Sequence, residues 1–544
     1  MGRSIILYGG GQRAGPSVQS ILLPRRQVNA PGASTPPAAG RSDPLARALV
    51  LNERDNVAVA LEHLAPGASV VGPHGVVEVM DPIAPAHKVA LTVIGPGEPI
   101  TKYGHTIGVA SCHIAAGAWV HTQNLAFAPS VQPSAARPEA QPSGPMQFLP
   151  TTYLGYRRVG RRAGIRNAVA VVAASNCAAD VVRGIVARLR IRGLPGVEQV
   201  VPIVHGSGCG LQSDGVDHAV LRRCLHGMVL HPNVTAALVV GLGCEVNQVC
   251  GIMAGLMADG RVVSLGIQDA GGVGKAIERG VEVLARAAGP AADERREAIP
   301  VSDLTVGTNC GGSDANSGIT ANPALGLAGD ALVSAGAGWA LAETTETFGA
   351  EAILAANAAS SEAGRRLLVA VRWWERHTAA AGVTVDGNPA PGNKAGGLTT
   401  ITEKALGAVL KAGSSPLRGY CDYAEPITAP GLTFMDTPGH DAPSVTGLAA
   451  GGCSLIVFTT GRGSCIGFPA VPILKVGSNS QVSRRMGGDI DLDAGVILEG
   501  VPMADVAAAI AARIIGVASG DRTKAELQGL GDDAFVPWLR GPVL

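Results

Sequence analysis

Residues 167–193, NAVAVVAASNCAADVVRGIVARLRIRG, decide the fold class. The opening NAVAVVAAS is a short, almost wholly apolar run that ends in a polar corner, the pattern of a strand buried on both faces. The remainder repeats apolar residues at helical spacing. A buried strand that passes directly into a helix belongs in a mostly parallel α/β sheet. The same texture recurs in VEQVVPIVHGSGCG (197–210), TAALVVGLGCE (235–245), RVVSLGIQDAGG (261–272), SLIVFTTGRGS (454–464) and VPILKVGS (471–478), with a helix expected at Met503–Ile515. Most of these strands end in loops rich in Gly, Cys or polar residues. Ligands of such sheets sit at the carboxyl ends of the strands.

Working outward, the reading gives five segments. Residues 1–45 are dominated by Gly, Pro, Ser and Arg without lasting periodicity, and are expected to be a disordered or mis-assigned extension. Residues 46–125 carry short strands punctuated by Gly and Pro, as in VVGPHGVVEVM (70–80) and HKVALTVIG (87–95), which predicts a small all-β module. Residues 126–150 form a Pro/Ala/Ser linker. The α/β region follows, and VTVDGNPAPGNKAGG (383–397) divides it into lobes at 151–390 and 391–544.

Composition narrows the function classes. Lys+Arg and Asp+Glu both number 43 in 544 residues, which argues against a nucleic-acid-binding surface. Charged residues make up 16% and hydrophobic ones 47%, which excludes disorder over most of the length. No apolar run reaches the ~18 residues of a membrane span. Ten cysteines without a CxxC pair or a signal peptide point to free thiols or metal ligands in the reducing cytoplasm. A small molecule is therefore the expected partner, and a homo-oligomer the expected assembly.

Four cysteines fall at strand ends: Cys177, Cys209 in HGSGCG, Cys244 in GLGCE, and Cys310 in CGGSD. They are expected to converge along one rim of a sheet with His205, Glu245 and Asp314. Thiolate, imidazole and carboxylate are ligands for iron or zinc. Singly, each cysteine reads as a compact buried side chain, and the ensemble reads as an active site. Ser313, Ser317 and Asn322 offer hydroxyls and an amide to a polyol. Glu343 and Glu346 read equally well as a solvated acidic helix start or as a shared functional face. Asn393 and Lys394 sit in a glycine-rich loop suited to an anion, and Arg462 offers a guanidinium fork for a carboxylate. In the β module, His87 and His121 lie at strand edges as accessory contacts. Asp436–His440 (DTPGH) and Gly274-Lys275 suggest nucleotide chemistry, but the glycine and hydroxyl positions of a phosphate loop are filled by Asp269 and Ala276.

GYRRVGRRAGIRN (155–167), HGSGCG, GLGCE, CGGSD, SGITANP (317–323), NPAPGNKAGG (388–397) and FTTGRGS (458–464) occur in an order that resembles the altronate/galactarate dehydratase family. APAHKVAL (84–91), KYGHTIG (102–108) and GAWVHTQN (117–124) resemble that family's small SAF (β-clip) domain. The resemblance implies dehydration of a sugar acid to a 2-keto-3-deoxy acid. It also implies dependence on Fe(II) or another divalent metal such as Mn or Zn, with Cys177, Cys209, Cys244 and Cys310 as ligands. On the same footing His205, Glu245 and Asp314 are candidate acids or bases. Ser313, Ser317, Asn322, Asn393, Lys394, Arg462, His87 and His121 are candidates to hold a hydroxy-carboxylic acid. His105 stands where the galactarate-type pattern has Glu, and MDTPGHDAPSVTG (435–447) departs from both well-known branches. A sulfolactate sulfo-lyase-type elimination is the alternative, and a non-catalytic sugar-acid-binding protein a second one.

Overall fold

The computed structural model describes residues 46–128, 150–256 and 260–541. The expected N-terminal extension and most of the linker lie outside them. Among the described residues, β1 (Ala168–Ala173), β2 (Gln199–Ile203), β3 (Val234–Gly241) and β4 (Val262–Gly266) form a parallel sheet in the order β2-β1-β3-β4. Every residue of β1 and β3 is buried, because helices cover both faces. The alternation of β1 divides it cleanly. Ala168, Ala170 and Val172 pack with Cys224 and Leu225 of α2 (Val216–Val229), whereas Val169, Val171 and Ala173 pack with Ile185 of α1 (Ala179–Arg192) and Leu284 of α3 (Val273–Ala287).

A second sheet contains β5 (Thr305–Cys310), β6 (Gly338–Leu341), β7 (Leu417–Cys421), β8 (Gly431–Met435), β9 (Leu455–Thr460), β10 (Ile473–Gly477) and β11 (Leu492–Asp493). Its strands are parallel, in the order β7-β8-β6-β5-β9-β10-β11. The chain moves one way from β5 and the other way from β9, so the strand order reverses between them and opens a crevice over their carboxyl ends. This sheet draws strands from both sides of residue 390. The lobe boundary expected there is therefore corrected: the break between the parallel sheets falls between Gly266 and Thr305. The Gly/Pro-rich stretch that suggested the boundary is largely exposed and packs against the N-terminal module at its end. A Cβ on Gly397, at φ +94°, would lie 2.3 Å from the Ala86 carbonyl oxygen.

The N-terminal module is all-β as expected. Ala48–Leu49, Val57–Ala60, Lys88–Ala90 and Trp119–Val120 pair antiparallel in that order, and Pro99–Lys102, His105–Ala110 and Leu125–Ala126 form a second small sheet. Ile100, Ile107 and Val120 share one core with Leu325 of α4 (Ala321–Ser334) and Trp339 of β6. Lys88 and Lys102 reach out of the module to Glu403 on α5 (Ile401–Ala408) at 2.9 and 2.8 Å, all three side chains almost fully buried. The large sheets meet where α2 packs on α6 (Asp441–Ala450). A Cβ on Gly227 would lie 2.0 Å from the Ala450 oxygen, so glycine is required there. No helix among the described residues is long and apolar enough to cross a membrane.

Candidate active site

The carboxyl ends of β5 and β6 deliver three acidic groups to one point. Cys310 is the last residue of β5, Glu343 follows β6, and Glu346 sits in the 3-10 turn Thr344–Thr347. Their donor atoms all lie within 4.8 Å of one another, a set that could hold a metal ion. Lys404 on α5 and Lys411 in the turn Val409–Ala412 are seven residues apart, about two helical turns, which carries both ammoniums toward the same edge. Lys411 Nζ donates to Cys310 Sγ at 2.9 Å and to Glu343 Oε2 at 2.5 Å. Lys404 Nζ donates to Glu346 Oε1 at 2.5 Å and to Asn388 Oδ1 at 3.0 Å. The Cys310 thiol donates to Glu346 Oε2 at 3.3 Å, and its backbone N–H to Glu343 Oε2 at 3.0 Å.

Glu343 holds its place at a conformational cost. Its φ is +70°, a left-handed conformation that costs a non-glycine residue ~1 kcal/mol. Such outliers persist where surrounding contacts over-determine them, often at functional sites. Burial pushes the Glu343 carboxyl up to about 7, against the pull of Lys411 and with the help of Glu346. Its Oε1 is buried with no hydrogen-bond partner among the described residues. Burial, then the Glu343 charge, holds the Cys310 thiol well above its ordinary range, which suits a neutral S–H that donates. Asp441, the first residue of α6, is only partly buried. Burial and then Glu346 push its carboxyl up to about 6. Gly311 makes room for it, since a Cβ there would sit 2.4 Å from Asp441 Oδ2.

Three family models match successive stretches of the chain. Residues 46–128 match the altronate/galactarate dehydratase SAF domain, 155–292 the D-galactarate dehydratase/altronate hydrolase second domain, and 301–543 the D-galactarate/altronate dehydratase C-terminal domain. The chain belongs to the altronate/galactarate dehydratase family. Altronate dehydratase of Escherichia coli K12 is 36% identical over 474 residues, 86% of this chain and 94% of the relative. Galactarate dehydratase (L-threo-forming) of the same organism is 32% identical over 472 residues, 84% and 90%. The (2R)-sulfolactate sulfo-lyase subunit beta of Chromohalobacter salexigens is 34% identical over 400 residues, 72% and 98%.

Within this family architecture, the residues singled out in the sequence separate into groups. Cys177, Cys209 and Cys244 follow β1, β2 and β3 on the first sheet, all exposed, whereas Cys310 is buried on the second. The expected single rim is thus two rims, because the strands that carry these cysteines fold into two sheets. His205 closes β2, but Nε2 contacts the Ala173 oxygen at 3.0 Å and Nδ1 accepts from Ser207 N–H at 3.2 Å, which leaves neither nitrogen for a substrate. Asp314 Oδ1 accepts from Ser317 Oγ and Ser478 Oγ, and Oδ2 from Asn479 Nδ2, so it anchors the loops at the strand-order reversal. Asn322 bridges the Gly407 carbonyl and Thr459 Oγ1 and supports the same crevice from below. Asn393 donates to the Ser313 carbonyl. Glu245 Oε2 accepts from Gly243 N–H at 2.7 Å, and Oε1 has no hydrogen-bond partner among the described residues. Arg462 is exposed on the loop after β9.

The two histidines of the N-terminal module do reach the larger region. His87 Nε2 lies 3.4 Å from the Ala395 carbonyl, and its ring centroid is 4.8 Å from that of His121. Burial first, then Lys88 and more weakly Lys394, hold His121 down to about 4. Lys394 is half-buried on the same loop as Asn393. Glu343 and Glu346 share a site, but they lie on a tight turn and are buried, not solvated. Lys404, Lys411 and Asp441 were absent from the sequence reading. The signal for the lysines was two cations seven residues apart in the otherwise apolar run ITEKALGAVLKAG (401–413).

Two donor sets bear on the metal that the family resemblance implies. The Cys310, Glu343 and Glu346 set is already neutralised by two ammoniums, so it takes a cation only by releasing them. The thiols of Cys177, Cys209 and Cys244 are exposed, and among the described residues the leading neighbouring charges on Cys209 are Cys177, Cys244 and Glu245, all of which raise its pKa. Thiol donors of that kind fit iron or zinc.

Proposed function

We propose that the chain dehydrates a sugar acid of the altronate or galactarate type to a 2-keto-3-deoxy acid. Supporting this reading are the likeness to dehydratases of both substrates across all three domains and, above all, Asp441. A partly open carboxylate whose pKa is pushed up to about 6 beside an ammonium pair is suited to general-base work near neutral pH. The C2 proton next to a carboxylate is very weakly acidic, so the acid group must also be neutralised as the proton leaves. Lys394 on the glycine-rich loop and Lys404, which Asn388 orients, supply that positive charge. Asp441 takes the C2 proton, the C2–H electrons form the C2–C3 double bond as the 3-hydroxyl departs as water on a proton returned from the Asp441 carboxyl, and the enol ketonises. Glu346, whose charge adds to burial in raising both the Glu343 and the Asp441 carboxyls, couples the paired cluster to the base. Iron held by Cys177, Cys209 and Cys244 would supply a Lewis acid for a substrate oxygen.

Anaerobic turnover with Fe(II) on altronate, galactarate and (2R)-sulfolactate, assayed for 2-keto acid and for sulfite, tests the reading. A 2-keto-3-deoxy product from a sugar acid without sulfite supports it. Sulfite from sulfolactate would instead favour the second reading, an elimination with the same proton abstraction, for which the match to almost the whole sulfo-lyase subunit is the observation. Binding without turnover of any of the three would leave a sugar-acid-binding protein.

A further inference from the structure

DTPGH (436–440) is no part of a phosphate loop, yet it joins β8 to α6 and ends directly before Asp441. We propose that Asp436 is a positioning residue: braced by Trp538 of the C-terminal tail, it holds the Glu343–Glu346 turn and Asp441 in the register that the reaction needs. The proposal rests on the dehydratase reading, with Asp441 as its base.

The loop and the acidic turn are laced together. Asp436 Oδ1 accepts from Thr344 Oγ1 at 2.6 Å, and Thr344 Oγ1 accepts in turn from Thr437 N–H at 3.2 Å. Thr344 N–H donates to the Thr437 carbonyl at 2.9 Å, and Glu343 N–H to Thr437 Oγ1 at 2.8 Å. These bonds bracket the left-handed φ of Glu343, a conformation that persists only where contacts over-determine it. Gly439 N–H donates to Thr345 Oγ1 at 3.0 Å. That approach needs a glycine, since a Cβ on Gly439 would lie 2.5 Å from Thr345 Oγ1 and 2.9 Å from Glu346 Cγ. Thr437 Oγ1 also pairs with Ser444 Oγ at 2.9 Å, in the first turn of α6. One loop thus ties the acidic turn to the helix that begins with Asp441.

The C-terminal tail grips this assembly from outside. Trp374, on the helix Ser361–Ala380, donates from Nε1 to Asp436 Oδ1 at 2.9 Å. Its indole stacks on that of Trp538, with centroids 4.7 Å apart and planes inclined by 11°. Arg540 lies over the far ring system, 4.6 Å from the Trp538 centroid. Tyr423 Oη accepts from Trp538 N–H at 3.2 Å and donates to the Pro443 carbonyl at 2.7 Å, while Val536 N–H donates to Thr446 Oγ1 at 2.9 Å. Residues 534–540 form neither helix nor strand, so these contacts alone seat them on α6 and on Asp436. The single oxygen Asp436 Oδ1 therefore joins the acidic turn, through Thr344, to the tail, through Trp374. A reacting group displaced by ~1 Å loses on the order of 10²-fold in rate, so loosening this joint acts on turnover.

Steady-state kinetics of the full chain on whichever of the three acids it turns over, with amide hydrogen exchange over residues 343–347 and 436–446, tests the proposal. Asp436→Ala is expected to lower kcat about 30- to 100-fold with KM within about 3-fold of wild type. Exchange should quicken in both segments and not elsewhere. Trp538→Ala should lower kcat about 10-fold with the same exchange pattern. Asp436→Asn keeps the accepting Oδ1 and should retain most of the rate and the protection. If Asp436→Ala does not fold, Trp374→Phe, which deletes one donor and keeps a stacking ring, carries the same expectation. An unchanged kcat in Asp436→Ala, a raised KM at constant kcat, or an Asn variant as damaged as the Ala variant overturns the proposal. With an active wild type, such a result leaves the dehydratase reading standing. A wild type inert towards all three acids removes that reading and this role with it.

Discussion

At the scale of single residues, Asp441 and Glu343 carry the most specific expectations. If Asp441 is the base, Asp441→Asn should lower kcat about 10²- to 10⁴-fold, the usual worth of a general base. The wild-type rate should fall as pH drops through about 6, because the carboxylate must be ionised to take a proton. An intact acid limb in the Asn variant would remove Asp441 from that role. Lys411→Met should destabilise the protein by ~3–5 kcal/mol, since it strands a buried carboxylate and exposes no compensating charge. Urea unfolding of the two proteins measures the difference. The sequence announced this site only in part. Cys310, Asn393 and Lys394 stand in or beside glycine-rich segments whose composition advertised chemistry. Lys411, 1% exposed, was hidden because a lysine within an apolar helix reads as a solvated face until its partner strand is known.

At the scale of elements, α5 joins two jobs. Glu403 faces the N-terminal module and accepts from both Lys88 and Lys102, while its neighbour Lys404 faces Glu346. Successive helical residues diverge by about 100°, so one short helix serves both sides. Burial, only partly offset by Glu403, holds Lys88 down to about 8. Glu403→Gln would leave two buried ammoniums sharing one neutral amide. We expect a loss of ~3–5 kcal/mol in urea unfolding and a marked fall in turnover, because α5 also positions Lys404. A variant of unchanged stability would mean that the module docks through its apolar core alone. The module's strands were legible from Gly/Pro punctuation and alternation. Its docking was not, since the partners of Lys88 lie more than 300 residues away in sequence.

At the scale of the whole molecule, the two large sheets are bound through α2 and α6 and by a buried polar tie. His231 Nε2 contacts the Cys453 carbonyl at 3.1 Å, its Nδ1 accepts from Asn233 N–H, and Asn233 Nδ2 donates to the Ser454 and Ala470 carbonyls. Burial holds His231 down to about 4, below its ordinary value of 6.5. Between those values the unfolded chain binds a proton that the folded chain refuses, so the stabilisation His231 gives is present above pH 6.5 and fades as pH falls toward 4. The stability advantage of wild type over His231→Gln should therefore shrink on acidification by ~1.4 kcal/mol per pH unit within that window. A constant difference in urea midpoints from pH 7 to 5 would contradict it. The sequence by itself determined the α/β class, the all-β N-terminal module and the family, because hydrophobic period, glycine-rich corners and ordered motifs are local properties of the chain. Only the tertiary structure decided that the strands divide into two sheets near residue 300. It alone separated Cys310 from the other three thiols and gave Glu343 and Glu346 their lysines. Strand order and charge pairing are set by contacts between segments far apart in sequence, and no local pattern encodes which of several strands will lie side by side.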